Sequence, residues 1–503
     1  MSSTEAMLAI EPILDTVPQY EDFLTFAEIR SRSAVLADTY PDSLRIETIG
    51  ESAEGRPLEL LVVGNTQSLD TFGPEQGRRT ALIFGAPHPN EPSGVHTSFV
   101  MAEYFAKYPD RLQDFGFDTL LVLPAADVDG LVLNEDGFKG FSPEKYLENF
   151  YRPPFKDQPE WSFPINIPEL GLFFDQPMPV AAALATVMDA WRPRFVGSLH
   201  NSWTETGAYF TANRHIGKLA GIVQEFSERY GIPLHQGPNE QPYGQELHPG
   251  VYTHASRIVE TVWNKIHGKA NTKEAGGSYD YLLRHALAGK NYQAMIEAGT
   301  LNLDGEAEDH PSHIVTEIPG FVWAPHANAP SESSGMTKYQ AMIEGVRLQQ
   351  ANVEILRAGT QGMSGLPEGP LLDTVMKHIG VWDDYLKRRM ETLSGGIGGA
   401  DDSEILTHDE AFQWTHVQPL MWLLGYIGIL SRLAEQGGHT TQAEQLRQHI
   451  TRSVGALATY GELKLRPIHD VVCMQLGAIA AGIFLQGRQS TIDAGQTPGR
   501  GST

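Results

Sequence analysis

His88 and Glu91 stand three residues apart in the stretch TALIFGAPHPNEPSGVH, residues 80–96. Neutral imidazole and carboxylate are both good zinc ligands, and a catalytic zinc site takes three protein ligands and keeps one position open. A single turn carrying His88 and Glu91 can supply two of them. The third candidate is His200, which closes the apolar run FVGSLH and opens a polar cluster with Asn201 and Ser202. His96 is the rival, but it falls inside the helical stretch after the turn and is expected to point away from it. One Zn2+ ion held by His88, Glu91 and His200 is therefore the expectation, and its chemistry would be Lewis-acid activation of water and of a carbonyl.

The elements that must position these residues are legible as short apolar runs bounded by turn residues, at 58–63, 80–86, 119–123, 195–199, 208–211 and 313–318. Each has the length of a strand. Helix-period stretches separate them at 93–108, 180–191 and 217–230. Strands alternating with helices predict an α/β fold, a mostly parallel mixed sheet with helices on both faces. His88 and Glu91 would then lie just past the carboxyl end of one strand and His200 at the end of another, on the edge where open α/β sheets place their sites. Pro92 fits the first position of the helix that follows, where a missing N–H costs nothing.

From about residue 335 strand-like runs give way to long helical patterns at 337–358, 370–393, 409–435, 441–460 and 467–486. The expected organisation is a catalytic domain over 1–330, a C-terminal all-α helical bundle over 331–487 and a disordered tail over 488–503. Residues 324–335 (APHANAPSESSG) read as the linker. The apolar residues 421–424 read as core or as a homo-oligomer face in the bundle.

The bulk numbers narrow the partners. The chain has 503 residues, 41% hydrophobic and 20% charged, with a formal charge of 37 − 62 = −25. So negative a surface repels phosphate backbones and anionic lipid, so neither nucleic acid nor membrane is expected as a partner. The most apolar stretches, 420–430 and 478–485, fall short of the roughly 20 residues of a membrane span. Cys473 is the single cysteine, so no intrachain disulfide can form. The first residues lack a basic and apolar leader pattern, and a cytoplasmic address is the expectation.

Several of these motifs, in this order, resemble the zinc carboxypeptidases of the carboxypeptidase A type. IGESAEGRP (49–57) and the run after it resemble that family's opening strand pair. GAPHPNE (85–91) resembles its His-x-x-Glu turn and residues 198–200 its third-ligand strand. Asp127–Gly130 and Asn134–Gly137 are two candidates for its Asn-Pro-Asp-Gly turn. GGSYD (276–280) resembles its Gly-Gly-Ser-x-Asp loop, and VTEI (315–318) resembles the strand carrying its catalytic glutamate.

The resemblance implies a fold, an activity and a set of roles. His88, Glu91 and His200 match the zinc ligands and Glu317 the general base. Arg152 matches the arginine that polarises the scissile carbonyl. Asn166 matches the surviving half of an Asn-Arg carboxylate clamp. Tyr279 and Asp280, in the Gly-Gly-Ser-type loop, match substrate-binding positions, Tyr279 in the side-chain pocket. The sequence departs from the family in three places. The clamp's arginine is missing after Asn166, with Arg214, Arg257 and Arg284 as substitutes; a family tyrosine falls at Thr272; and an insertion occupies about 283–311.

The implied function is cleavage of an amide bond in a peptide or amino-acid-derived substrate, foremost by metallocarboxypeptidase action. HPNEPSG and LHNSWTETG also resemble the succinylglutamate desuccinylase and aspartoacylase branch. That branch implies an amidohydrolase of small N-acyl amino acids. A non-catalytic binding module on the same scaffold is the third reading.

Overall fold

The structure, a computed structural model, describes residues 3–64, 79–140, 142–154, 157–202, 207–235, 246–254, 256–266, 276–287, 310–325, 332–394, 405–457 and 461–494. Among these residues the main sheet has nine strands. They are β1 (Leu44–Glu51), β2 (Pro57–Gly64), β3 (Thr80–Gly85), β4 (Thr119–Leu123), β7 (Phe195–His200), β8 (Tyr209–Ala212), β9 (Glu246–His248), β10 (Val251–Tyr252) and β11 (Ser312–Glu317). A separate hairpin supplies β5 (Ile165–Ile167) and β6 (Leu172–Phe174). The sheet order is β1-β2-β4-β3-β7-β11-β8-β10-β9. The central pairs β4–β3, β3–β7 and β7–β11 are parallel, and β1–β2, β2–β4, β11–β8 and β10–β9 are antiparallel. The central strands β3, β4 and β7 are buried along their whole length, so they read as continuous apolar runs rather than alternating ones.

Period-two alternation assigns each side chain of β7 and β11 to a face. A side chain at Gly197 would meet Ile479, and Leu199 lies against Gly94. These odd positions of β7 face the helices Ser93–Lys107 and Ile468–Ala494. Ser198 and His200 therefore face the other way, toward the 3-10 turn Pro159–Trp161, which packs on helix Pro179–Trp191. On β11, Ile314 and Thr316 share the face of the last helix, while His313 and Glu317 share that of His200.

The helical region differs from the expected appended bundle. The chain leaves the sheet through β12 (Phe321–Pro325) and returns through β15 (Gly461–Leu465), and the two pair antiparallel. Between them lie β13 (Ser333–Thr337), β14 (Ile405–Thr407) and the helices Lys338–Gly362, Pro370–Ser394, Gln418–Gln436 and Thr440–Leu457. These elements dock on the N-terminal half: the Phe150 ring fills the space a side chain at Gly425 would need, and Arg432 Nη1 donates to Leu133 O at 2.8 Å. Leu423 and Leu424 are buried in a core continuous with the sheet. The side chains of 421 and 422 lie outside the described residues.

The fifth expected bundle helix, Ile468–Ala494, belongs to the sheet. It packs on β7, β11 and the helices Ser3–Leu14, Ser93–Lys107 and Ile216–Tyr230. Gly477 makes this approach possible, because a Cβ there would lie 2.2 Å from the Phe226 ring. The segment Ile468–Arg488 is long and apolar enough to cross a membrane by composition, with a mean hydropathy of 1.7, and 89% of it is buried inside the fold. Its apolarity is that of a core helix. The expected tail at 488 begins within this helix, and residues 495–503 lie outside the described ones. In sequence, a helix this apolar gives no sign of which core it covers.

Candidate metal centre

The metal turn is built by close approach. β3 ends at Gly85, and Ala86 takes a left-handed backbone conformation with φ 42°. Such a residue costs on the order of 1–3 kcal/mol and persists only when its surroundings fix it. The segment after β4 does so: Ala126 N donates to Gly85 O at 2.8 Å and Asp127 N donates to Ala86 O at 3.1 Å. Glu91 N then donates to His88 O at 3.0 Å, closing the turn so that both side chains project together. The helix Ser93–Lys107 starts at once. Its Gly94 lies so close to β7 that a Cβ would sit 2.5 Å from Leu199 O. Asn201, the residue after His200, accepts from Ser93 N at 3.1 Å and so caps that helix. One contact thus ties the end of β7 to the residue two after Glu91.

His88, Glu91 and His200 converge, with ligand atoms all within 4.8 Å of one another, and all three are buried. Glu91 Oε1 is 3.0 Å from His88 Nδ1, Glu91 Oε2 is 3.0 Å from His200 Nδ1, and the two Nδ1 atoms are 3.1 Å apart. Donor atoms bound to one tetrahedral zinc at about 2.0–2.1 Å stand about 3.3 Å from each other. Two neutral imidazoles and a carboxylate at this spacing fit zinc in both chemistry and size.

Arg152 and Glu317 reach the same cluster. Arg152 Nη1 donates to Glu91 Oε1 at 2.6 Å, and Nη2 lies 2.8 Å from His88 Nδ1. Glu317 Oε1 lies 3.6 Å from His200 Nδ1. Burial and the Arg152 charge hold the His88 imidazole down at about 4. Burial also works against the His200 cation, but Glu317, Glu160 and Glu91 overcome it and hold that imidazole up at about 10. The Glu91 carboxyl stays well below its usual range despite burial, because His88, Arg152 and His200 all favour the anion.

Sequence reasoning missed Glu160. Its Oε2 accepts from Ser198 Oγ at 2.6 Å and lies 3.6 Å from His200 Nε2, while its Oε1 accepts from Ser278 Oγ. Ser198 Oγ itself is 2.9 Å from His200 Nε2. This pair occupies the ring nitrogen that points away from the ligand cluster, and such partners fix the tautomer and ring orientation of a metal-ligating histidine. Ser198 was within reach of the sequence, since two residues along a strand return to the same face. Glu160 lies in PEW, a 3-10 turn with no motif to mark it.

The other expected site residues sit elsewhere. Asn166 is exposed on β5, and no hydrogen bond joins it to the cluster among the described residues. Tyr279 is packed in the interior instead of lining a pocket. Its ring stacks on His254 at 4.1 Å, and its hydroxyl is buried with no hydrogen-bond partner among the described residues. Asp280 accepts from Ser256 Oγ, Arg257 N, Ile258 N and Gly277 N, and so joins two helix starts. Of the clamp substitutes, Arg257 pairs with Glu260 and Arg284 with Asp189.

His96 is structural, its Nε2 3.1 Å from Asp22 O and its ring against Tyr20. Asp127 caps the helix Val128–Val132 by accepting from Gly130 N at 2.8 Å, and burial pushes its carboxyl up to about 7. Thr272 and most of the insertion at 283–311 lie outside the described residues.

Residues 29–145 match the family model for zinc carboxypeptidase, a segment that includes His88 and Glu91. Among solved structures the chain is similar to carboxypeptidase A from Helicoverpa armigera, at 11% identity and TM-score 0.35, covering 63% of this chain and 71% of that one. It is also similar to bovine thrombin-activatable fibrinolysis inhibitor in complex with tick carboxypeptidase inhibitor, at 14% identity and TM-score 0.31, covering 58% and 86%. No curated protein matches the chain in sequence.

Proposed function

We propose that this chain is a zinc-dependent amide hydrolase acting as a metallocarboxypeptidase on a peptide or peptide-like substrate. The observation that carries the reading is the convergence of His88, Glu91 and His200 with Glu317 beside them. When bound by these three side chains, zinc supplies Lewis acidity and can lower the pKa of water toward about 7.

The chain's own residues supply the rest. Glu317 is placed to take a proton from the attacking water and return it to the leaving amine as the C–N bond breaks. Arg152 now pairs with Glu91; with a metal ion held by the three ligands, the Arg152 guanidinium would be available to the carbonyl oxygen as negative charge develops there. Glu160 and Ser198 keep His200 Nδ1 turned to the cluster.

A second reading is supported by the surroundings of Arg152. Tyr426 and His378, both from the helical region, lie near enough to act on its charge or feel it. Tyr426 donates to His378 Nε2 at 2.8 Å, so the two form a fixed wall on that side. A wall there favours small substrates, such as N-acyl amino acids, over long peptides. Incubating the zinc-loaded protein with dipeptides, N-blocked amino acids and C-blocked peptides separates the two. Cleavage that requires a free carboxyl end on a peptide supports the first reading. Cleavage confined to N-acyl amino acids supports the second, and no cleavage of any amide removes both.

A further inference from the structure

We infer that Gln475, on the last helix, is a positioning residue of the metal centre, holding from behind the strand ends and helix that carry its ligands. Gln475 is fully buried. Its Nε2 donates to His200 O at 2.7 Å and to Thr316 Oγ1 at 3.0 Å, and its Oε1 accepts from Thr97 Oγ1 at 2.6 Å. A carbonyl can only accept, so the contact with His200 O fixes which end of the amide is which. Both amide protons and the oxygen are then used.

Each partner adjoins a site residue. His200 is a candidate ligand itself, and its carbonyl lies at the last residue of β7. Thr316 precedes Glu317, and alternation sends its side chain to the back of the sheet while Glu317 faces the cluster. Thr97 lies one turn into the helix that begins just after Glu91. One side chain therefore joins the three segments whose relative placement sets the cluster. The close seat of this helix at Gly477 brings the short glutamine arm within reach. The family match ends at residue 145, so this contribution comes from a part of the chain outside it.

This inference rests on the metal reading above. The test compares Gln475→Leu with Gln486→Leu in the full chain. Gln486 is an equally buried glutamine on the same helix, bonded to His215 and to His310 O, away from the site. Zinc affinity is read by chelator competition, the ligand field by the visible spectrum of the Co2+ form, and folding by thermal unfolding of the metal-free protein.

Gln475→Leu should weaken zinc roughly 10-fold and change the Co2+ spectrum. Gln486→Leu should lower the unfolding temperature while leaving both metal readouts unchanged. If Gln475→Leu does not fold, Thr316→Val and Thr97→Val each remove one bond and should give smaller shifts of the same kind. Unchanged zinc affinity and Co2+ spectrum in every folded variant at 475, 316 and 97 would overturn the inference alone. A wild-type protein that binds no zinc would overturn the metal reading and this inference with it.

Discussion

Glu317 is the register partner of His200 across the parallel pair β7–β11, and its Oε1 comes within 3.6 Å of His200 Nδ1. The proposed general base thus sits one strand spacing from a candidate ligand, fixed by backbone pairing rather than by a loop. Glu317→Gln keeps the shape and removes the proton acceptor. Zinc stoichiometry should stay at one while turnover drops by roughly 10²–10⁴-fold. Near-normal hydrolysis by that variant would remove Glu317 from the mechanism.

Zinc must displace a proton from His200. In the metal-free protein its imidazole is held up at about 10, so it is charged at pH 7, whereas His88, held down at about 4, is already neutral. Affinity should therefore rise about tenfold per pH unit through neutrality, with about one proton released per zinc bound. Titration in weak buffer with an indicator dye measures the release. His200→Ala should lose both the metal and the proton.

Glu160→Gln can still accept from one of Ser198 and Ser278 while its amide nitrogen donates to the other, but it lacks the charge beside His200 Nε2. Zinc affinity should fall about 10- to 100-fold with little change in secondary structure. Full affinity in this variant would reduce Glu160 to a packing role.

Asp127 should make stability fall as pH rises. Its folded carboxyl titrates at about 7 and its unfolded one near the ordinary 3.8, so the native state holds the extra proton between them. Raising the pH from about 4 to about 7 then costs up to about 4 kcal/mol, and the curve is flat above. Asp127→Asn keeps a cap acceptor for Gly130 N and should remove that slope in urea unfolding. A slope that survives the substitution would assign it to other groups.

Tyr279→Phe removes a buried hydroxyl that has no hydrogen-bond partner among the described residues. An unsatisfied buried polar group costs about 1–3 kcal/mol, so the variant should be as stable as wild type or about 1 kcal/mol more so. Its substrate profile should not change. A shift in side-chain preference would return Tyr279 to the pocket.

The strands and the ligand triad were legible because they are local. Each of β3, β4 and β7 is an apolar run with turn residues at its ends, and His88, Glu91 and His200 lie at or just past such ends. What the sequence hid was set by distant packing. Glu160 gains its role from Ser198 and Ser278, far along the chain, and Tyr279 is withdrawn from solvent by His254 and His313. The last helix resembles the bundle helices before it in pattern. Only the antiparallel return of β12 and β15 shows that the helical region is an insertion ahead of it.

That chain order bears on how the molecule is made. Sheet strands β7 and β11 keep part of one apolar side uncovered until residues 468–494 have been synthesised, with more than a hundred residues intervening. Nascent chains halted near residue 330 should therefore bind holdase chaperones or aggregate, because the central sheet then lacks the helix that completes its cover.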